Sequence, residues 1–371
     1  MANEEKIGHR EAVTLLTLTI TAKIFLSFPR NMALLGESAG WIITLMAGIV
    51  AMIGYSFLHR LLAAYPEQNL IEIARRVAGK YLGVCLGLIF FLFFLVICSL
   101  YLRQFAESFI LAVLPRTPIS VITMGFLFLL AYGVILGIET ISRVAWFFGP
   151  YLLVTLLIIL LFSMPRATLE HLAPVLGRGP LIILKEAPVQ MASFTELLLL
   201  GIIAPLIRDQ RKVFRVGFYS LLLAVIINMG VVGLVVAVFN YNAAANLVFP
   251  ILQLTRLISL GEFIQRVEAV FVFLWFFWAG IQLSGLFYGT VVSFAQTFRI
   301  TNYRPLVPAL GLLVFTVSLI PASMTQAVQI SDFAARLSWI GNAYGFTAFG
   351  IPIVLLFIHQ VKKWIGDSHG A

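Results

Sequence analysis

Residues 21–31 read TAKIFLSFPRN and break the pattern around them. The flanking chain is apolar, yet Lys23 stands inside the run, with Ser27 and Pro29 close behind. A lysine at the centre of a membrane helix costs roughly 2.5–3.5 kcal/mol on insertion scales. Proline removes a backbone donor and clashes with the carbonyl four residues back. A membrane helix tolerates such interruptions where it lines a cavity rather than lipid. The first apolar segment is therefore expected to be a broken helix turned toward the inside of a bundle.

The rest of the chain supplies the bundle. Of 371 residues 61% are hydrophobic and only 11% charged, against about 25% charged in a soluble domain. Stretches 41–58, 84–102 and 217–239 approach or exceed the ~20 helical residues that cross a hydrocarbon core. The fold class read here is all-α: a polytopic membrane protein with about ten transmembrane helices and no separate soluble domain. The spans fall at 11–34, 38–62, 81–113, 119–139, 142–163, 186–206, 216–240, 267–297, 306–324 and 338–360. Residues 1–11 are polar and are expected to lead into the first span without a cleavable signal.

Orientation follows from the basic residues. With the N-terminus inside, the inner segments hold fifteen Lys and Arg, among them Lys6, Arg10, Arg60, Arg75, Arg76, Arg208, Arg211, Lys212 and Arg215; the outer side holds about eight. Both termini are expected to be cytoplasmic. The same rule accounts for the net charge of +9. No basic cluster is interleaved with exposed aromatics, so nucleic acid is not expected as a partner. Segment 66–83 reads as an amphipathic helix on the inner face and segment 241–266 as one on the outer face, and 164–185 as a folded outer lid or short helix.

Enzymatic and metal chemistry find no foothold. The chain lacks H-E-x-x-H, G-x-S-x-G and P-loop motifs, and its five histidines are scattered. Cys85 and Cys98 lie thirteen residues apart on one helix, ~20 Å along its axis and too far for a disulfide. No catalytic residue, metal or cofactor is expected.

The sixth span repeats the oddity of the first. KEAPVQMASFTELLLLGIIAPLI (185–207) places Pro188, Gln190, Ser193, Thr195 and Glu196 ahead of its apolar run. Interruptions in helices one and six, five apart, are the pattern of an inverted five-plus-five repeat. The first repeat would span about 11–163 and the second about 186–324, with helix ten beyond. Lys23 and Glu196 are the charges that cannot move to an interface. They are expected to meet at the midplane, where an ion pair would neutralise both. Lys23 has two further possible roles, as a carboxylate binder or as a tethered cation. The candidate ligand-binding residues are Lys23, Ile24, Ser27 and Pro29 from the first break and Ser193, Phe194, Thr195 and Glu196 from the sixth. Gln282 and Ser284 join them from FVFLWFFWAGIQLSGLFYGT (271–290). A zwitterion suits such a site: free amides at a helix terminus attract a carboxylate, and Glu196 an ammonium.

Three stretches carry a resemblance: TAKIFLSFPR (21–30), ASFTELLLLGIIAPLI (192–207) and FPILQLTRLISLGEFIQRVEAVFVFLWFFW (249–278). Together they resemble the B subunit of GerA-type spore germination receptors, in the amino acid–polyamine–organocation superfamily. The resemblance implies the five-plus-five LeuT-like fold and a site at the two breaks and the helix-eight face. It implies a small-molecule germinant, often an amino acid, bound in the spore inner membrane. It also implies an A-type membrane subunit and a C-type lipoprotein subunit as partners. Many relatives carry a small, glycine-rich run at the first break, where this chain has Ala22-Lys23-Ile24-Phe25. The alternative reading is an amino-acid permease of the same fold, and a third is a scaffold with a vestigial pocket.

Overall fold

The computed structural model describes residues 5–258, 267–323, 325–330 and 342–368. Among these the structure is helical apart from loops, with one isolated bridge between Ile7 and Ile207. Eight helical segments are long and apolar enough to cross a membrane. They match the expected spans two to eight and ten. The first is divided by its break, and the ninth is shorter than expected.

Helix α1 (His9–Thr21) starts where the Glu11 carboxylate accepts the Gly8 N–H at 2.8 Å. It passes into a 3-10 turn at Ala22–Phe25, and Leu26 then leaves helical geometry at φ −99°, ψ −148°. Helix α2 (Phe28–Gly36) restarts with Pro29 in its first turn, where a missing N–H costs nothing. After a 3-10 turn, α3 runs Gly40–Ala64. A Cβ on Gly40 would stand 2.6 Å from the Met32 carbonyl oxygen, so α2 and α3 approach this closely only with glycine there.

The inner amphipathic helix is α4 (Leu70–Ala78). Asn69 accepts the Ile71 and Glu72 amides at 3.0 Å, and Glu72 accepts the Asn69 N–H at 3.0 Å, a reciprocal cap. Gly79, at φ 89°, turns the chain into α5 (Lys80–Ala112). Helices α6 (Ile119–Leu136) and α7 (Ile138–Ser163) meet at Gly137, φ 96°.

The expected lid is folded but shorter than 164–185. Thr168 N–H and His171 Nδ1 both reach the Ala237 carbonyl, and the Ser38 hydroxyl donates to Pro174. Helix α8 then begins at Pro180 rather than near residue 186 and runs to Gln190 (Pro180–Gln190). Gly179-Pro180 is the start signal, proline being pre-set for the first helical position. A seven-residue 3-10 stretch, Met191–Leu197, separates α8 from α9 (Leu198–Ile203).

Helix α10 (Val213–Ala244) takes up the start of the expected outer segment 241–266, whose amphipathic helix begins only at α11 (Pro250–Leu257). Its Ile251, Leu252 and Leu254 are buried against the bundle; 259–266 lie outside the described residues. Helix α12 (Val267–Thr297) matches the expected eighth span. Helix α13 (Val307–Ser318) stops short of the expected 324 because Pro321 follows, and the residue before a proline disfavours helix. The tenth span enters through a π turn at Phe346–Gly350 and continues as α14 (Ile351–Ser368), past the expected 360; 338–341 of that span lie outside the described residues.

The middle of the bundle is α1. Its Leu15, Leu16, Leu18 and Ile20 are wholly buried, and it packs on α7, α10 and α12. Every residue from Leu15 to Thr21 is buried, threonines included, which places its broken end among other helices and away from lipid.

Candidate ligand site between the broken helices

The two interruptions meet. Lys23, on the 3-10 turn, donates from Nζ to Glu196 Oε1 at 2.7 Å and also to the Ser193 carbonyl. Tyr101 of α5 donates its hydroxyl to the same Oε1 at 2.8 Å. The side chains of Lys23 and Glu196 are 5% and 1% exposed, so the ion pair expected from sequence forms out of water. Glu196 Oε2 has no hydrogen-bond partner among the described residues.

Each break is held by side chains that bond backbone carbonyls beside it. At the end of α1, Trp278 Nε1–H donates to the Leu18 carbonyl at 2.9 Å and Gln282 Nε2–H to the Thr19 carbonyl at 3.0 Å. At the end of α8 the Asn342 amide donates to the Val189 carbonyl at 2.7 Å. Within the 3-10 stretch the Thr195 hydroxyl bonds the Ala192 carbonyl at 2.7 Å. Buried backbone polar groups need such partners.

A cavity of about 190 Å³ opens beside the pair. Five of the ten residues expected at the site line it: Lys23, Ser27, Ser193, Thr195 and Glu196. The other five do not. Ile24 and Phe194 are fully buried in the core, and Pro29 sits in the first turn of α2. Gln282 supports the end of α1, and Ser284 lies near Gly133 of α6. The α12 face thus buttresses the first break and supplies no residue to the lining of this cavity.

Sequence reasoning missed Tyr101, Gln104, Asn31, Gln190 and Tyr344, all of which line the cavity. A signal existed on α5. Ile97, Leu100, Tyr101 and Gln104 fall at i, i+3, i+4 and i+7, one helical face carrying two polar groups in an apolar segment. Arg103, close in sequence, is structural: it bonds Glu107 at 3.2 Å and the Ala322 carbonyl at 2.9 Å. No cluster of three potential metal ligands occurs among the described residues. With Lys23 and Glu196 cancelling, the site suits a ligand with no net charge but with separated charges or several polar groups.

The family model described as "Spore germination protein" matches residues 6–327. The chain is 25% identical to spore germination protein YndE of Bacillus subtilis (strain 168), over 96% of this chain and 97% of that one. It is 26% identical to spore germination protein A2 of the same organism, over 97% of each chain. Among solved structures it is similar to Mhp1, a nucleobase-cation-symport-1 family transporter, in a closed conformation with bromovinylhydantoin bound. There the TM-score is 0.67 at 14% identity, over 98% of this chain and 94% of that one. It is also similar to MhsT in complex with L-phenylalanine, at TM-score 0.65 and 17% identity, over 94% of this chain and 97% of that one. The fold is the LeuT-like fold expected from sequence.

Proposed function

The chain belongs to the spore germination protein family, and on that premise we propose that it is the ligand-binding subunit of a nutrient germinant receptor. The ligand is a small zwitterion, an amino acid, held between the two broken helices. The observation that carries this reading is Glu196 Oε2, a buried and unpartnered carboxylate oxygen on a cavity-lining side chain. An ammonium is the group that best satisfies it. The carboxylate goes to the start of α2, where Ser27 makes no side-chain cap and the helix dipole favours an anion. A volume of about 190 Å³ is below the ~300–1,000 Å³ of drug-sized ligand pockets, which limits the occupant to a molecule of amino-acid size.

Lys23 then serves as the fixed counter-ion of Glu196, 2.7 Å from its Oε1. MhsT, of the same fold, has L-phenylalanine bound, which supports an amino acid over larger nutrients. The basic end of the molecule faces the cytoplasm with both termini, the membrane is the spore inner membrane, and an A-type membrane subunit and a C-type lipoprotein subunit complete the receptor.

The fold is also that of transporters, so an amino-acid permease is the second reading. Spores lacking the gene, with a complemented strain as control, separate the two by dipicolinate release against a panel of amino acids and sugars. Loss of response to one amino acid with unchanged vegetative uptake is expected. Unchanged germination with reduced vegetative uptake would replace the receptor by the permease.

A further inference from the structure

The basic end carries a second concavity, about 20 Å along α1 from Lys23 at 1.5 Å per residue. It holds about 250 Å³ between the first turns of α1 and α10 and is lined by His9, Val13, Lys212, Arg215, Val216 and Tyr219. His9 and Val13 are four residues apart on α1. Lys212, Arg215, Val216 and Tyr219 follow i, i+3, i+4, i+7 at the start of α10. Each set is one helix face.

The two faces are graded in the same direction. His9 and Lys212 stand at the helix starts, Val13 and Val216 lie one turn further in and Tyr219 about two, with Arg215 directly before Val216. Ser220 hydroxyl donates to the Val13 carbonyl at 3.3 Å and ties the two helices together along the groove.

The neighbouring acids are committed or weakly placed. Glu11 accepts the Gly8 N–H, Glu139 pairs with Arg143 and Arg208, and Asp209 lies 3.4 Å from Lys212 on the exposed surface. Arg215 has no acidic partner within 4.0 Å among the described residues. The mouth is therefore cationic and the lower half apolar.

We propose that this groove binds one anionic phospholipid, its phosphate on Lys212 and Arg215 and an acyl chain along Val13 and Tyr219, over the buried Val216. Charge complementarity selects the anionic headgroup, because clustered Lys and Arg beside a membrane attract acidic lipids. The apolar half selects a lipid over a soluble anion, which would occupy only the mouth. Tyr219 is 49% exposed, with the apolar body and polar tip that seat tyrosine at headgroup level.

Native mass spectrometry of the full chain in detergent tests this with dioleoyl phosphatidylglycerol and dioleoyl phosphatidylcholine as probes. Preferential retention of phosphatidylglycerol is expected. Removing both charges, Lys212→Gln with Arg215→Gln, should lower its affinity about 30-fold, at ~1 kcal/mol per cation near the surface. The charge-retaining pair Lys212→Arg with Arg215→Lys should bind as the parent does, and so should Lys363→Gln, an exposed cation at the same end. Equal retention of the two lipids, unchanged affinity in the glutamine pair, or loss in the charge-retaining pair would each overturn the proposal. Excess inorganic phosphate should leave the lipid in place; displacement would mean a soluble anion.

Discussion

Lys23 and Glu196 set the energetics of the candidate site, because their ion pair is almost wholly buried. Removing one member of a buried pair leaves the other uncompensated, at a cost of about 3–5 kcal/mol. Lys23→Met is therefore expected to lower the thermal unfolding temperature in detergent sharply. Adding Glu196→Gln should restore stability beyond the sum of the two single effects, since the stranded charge is gone. Additive losses would mean that the two side chains do not share a site in solution. Tyr101→Phe removes one hydrogen bond to a charged acceptor and should cost about 1.5–3 kcal/mol in the same assay. Lys23 and Glu196 were legible in the sequence because a deep charge has few explanations. Tyr101 was not, since a tyrosine in an apolar helix packs as readily as it bonds, and only the fold brings α5 to Glu196. Gln282 differs from the lining residues for a related reason. Its polarity marks an interior neighbour, the Thr19 carbonyl, and the side chain stands outside the cavity lining.

At the scale of elements, the proline of the first break has a different part from the one its position suggested. Pro29 does not interrupt a helix; it starts α2, after Leu26 has already left helical geometry. Pro29→Ala should therefore shift stability by no more than about 1 kcal/mol, largely through the unfolded chain. A large loss of stability would show that the ring itself holds the break. The close pairing of α3 and α10 is more sensitive. A Cβ on Gly217 would meet the Tyr55 ring at 2.2–2.5 Å, while the Tyr55 hydroxyl is anchored on the Val213 and Phe214 carbonyls. Gly217→Ala is expected to cost about 1–3 kcal/mol by overpacking, read as a lower unfolding temperature; an unchanged value would mean that Tyr55 swings aside freely. The long apolar spans were plain from sequence because twenty apolar residues leave no other reading. The 3-10 stretch at Met191–Leu197 was harder to see, since its Ser, Thr and Glu fit an unwound segment equally well until Thr195 is seen bonding back to Ala192.

On the scale of the whole molecule, the segments expected on the inner side gather at one end. The Lys362 ammonium donates to the Val77 carbonyl at 2.8 Å, Tyr65 bonds His359, and Leu70 packs beside Gly201. The N-terminal residues tie this end together. Ile7 N–H donates to the Leu206 carbonyl at 2.8 Å, and its own carbonyl accepts the Arg208 N–H at 3.0 Å. Glu5 accepts the Ile138 N–H at 3.0 Å with Oε2 and the Tyr303 hydroxyl at 3.1 Å with Oε1. One short segment thus joins the start of α7, the exit of α9 and the turn before α13. Burial, and then the Glu5 charge, push the Tyr303 phenol above its ordinary range, so it remains a donor at neutral pH. The stability this neutral phenol contributes is complete below about pH 10, its ordinary value, and fades only as pH rises through the folded-state value. Glu5→Ala strands the Ile138 N–H and should cost about 1–3 kcal/mol at neutral pH. Hydrogen exchange is the measurement that localises the effect. Faster exchange at Ile138, Ile7 and Arg208, with the interior of α1 unchanged, is expected of a clasp on one end. Uniform acceleration through α1 would instead make Glu5 part of the global core, and no acceleration at Ile138 would show that its amide is protected without the carboxylate.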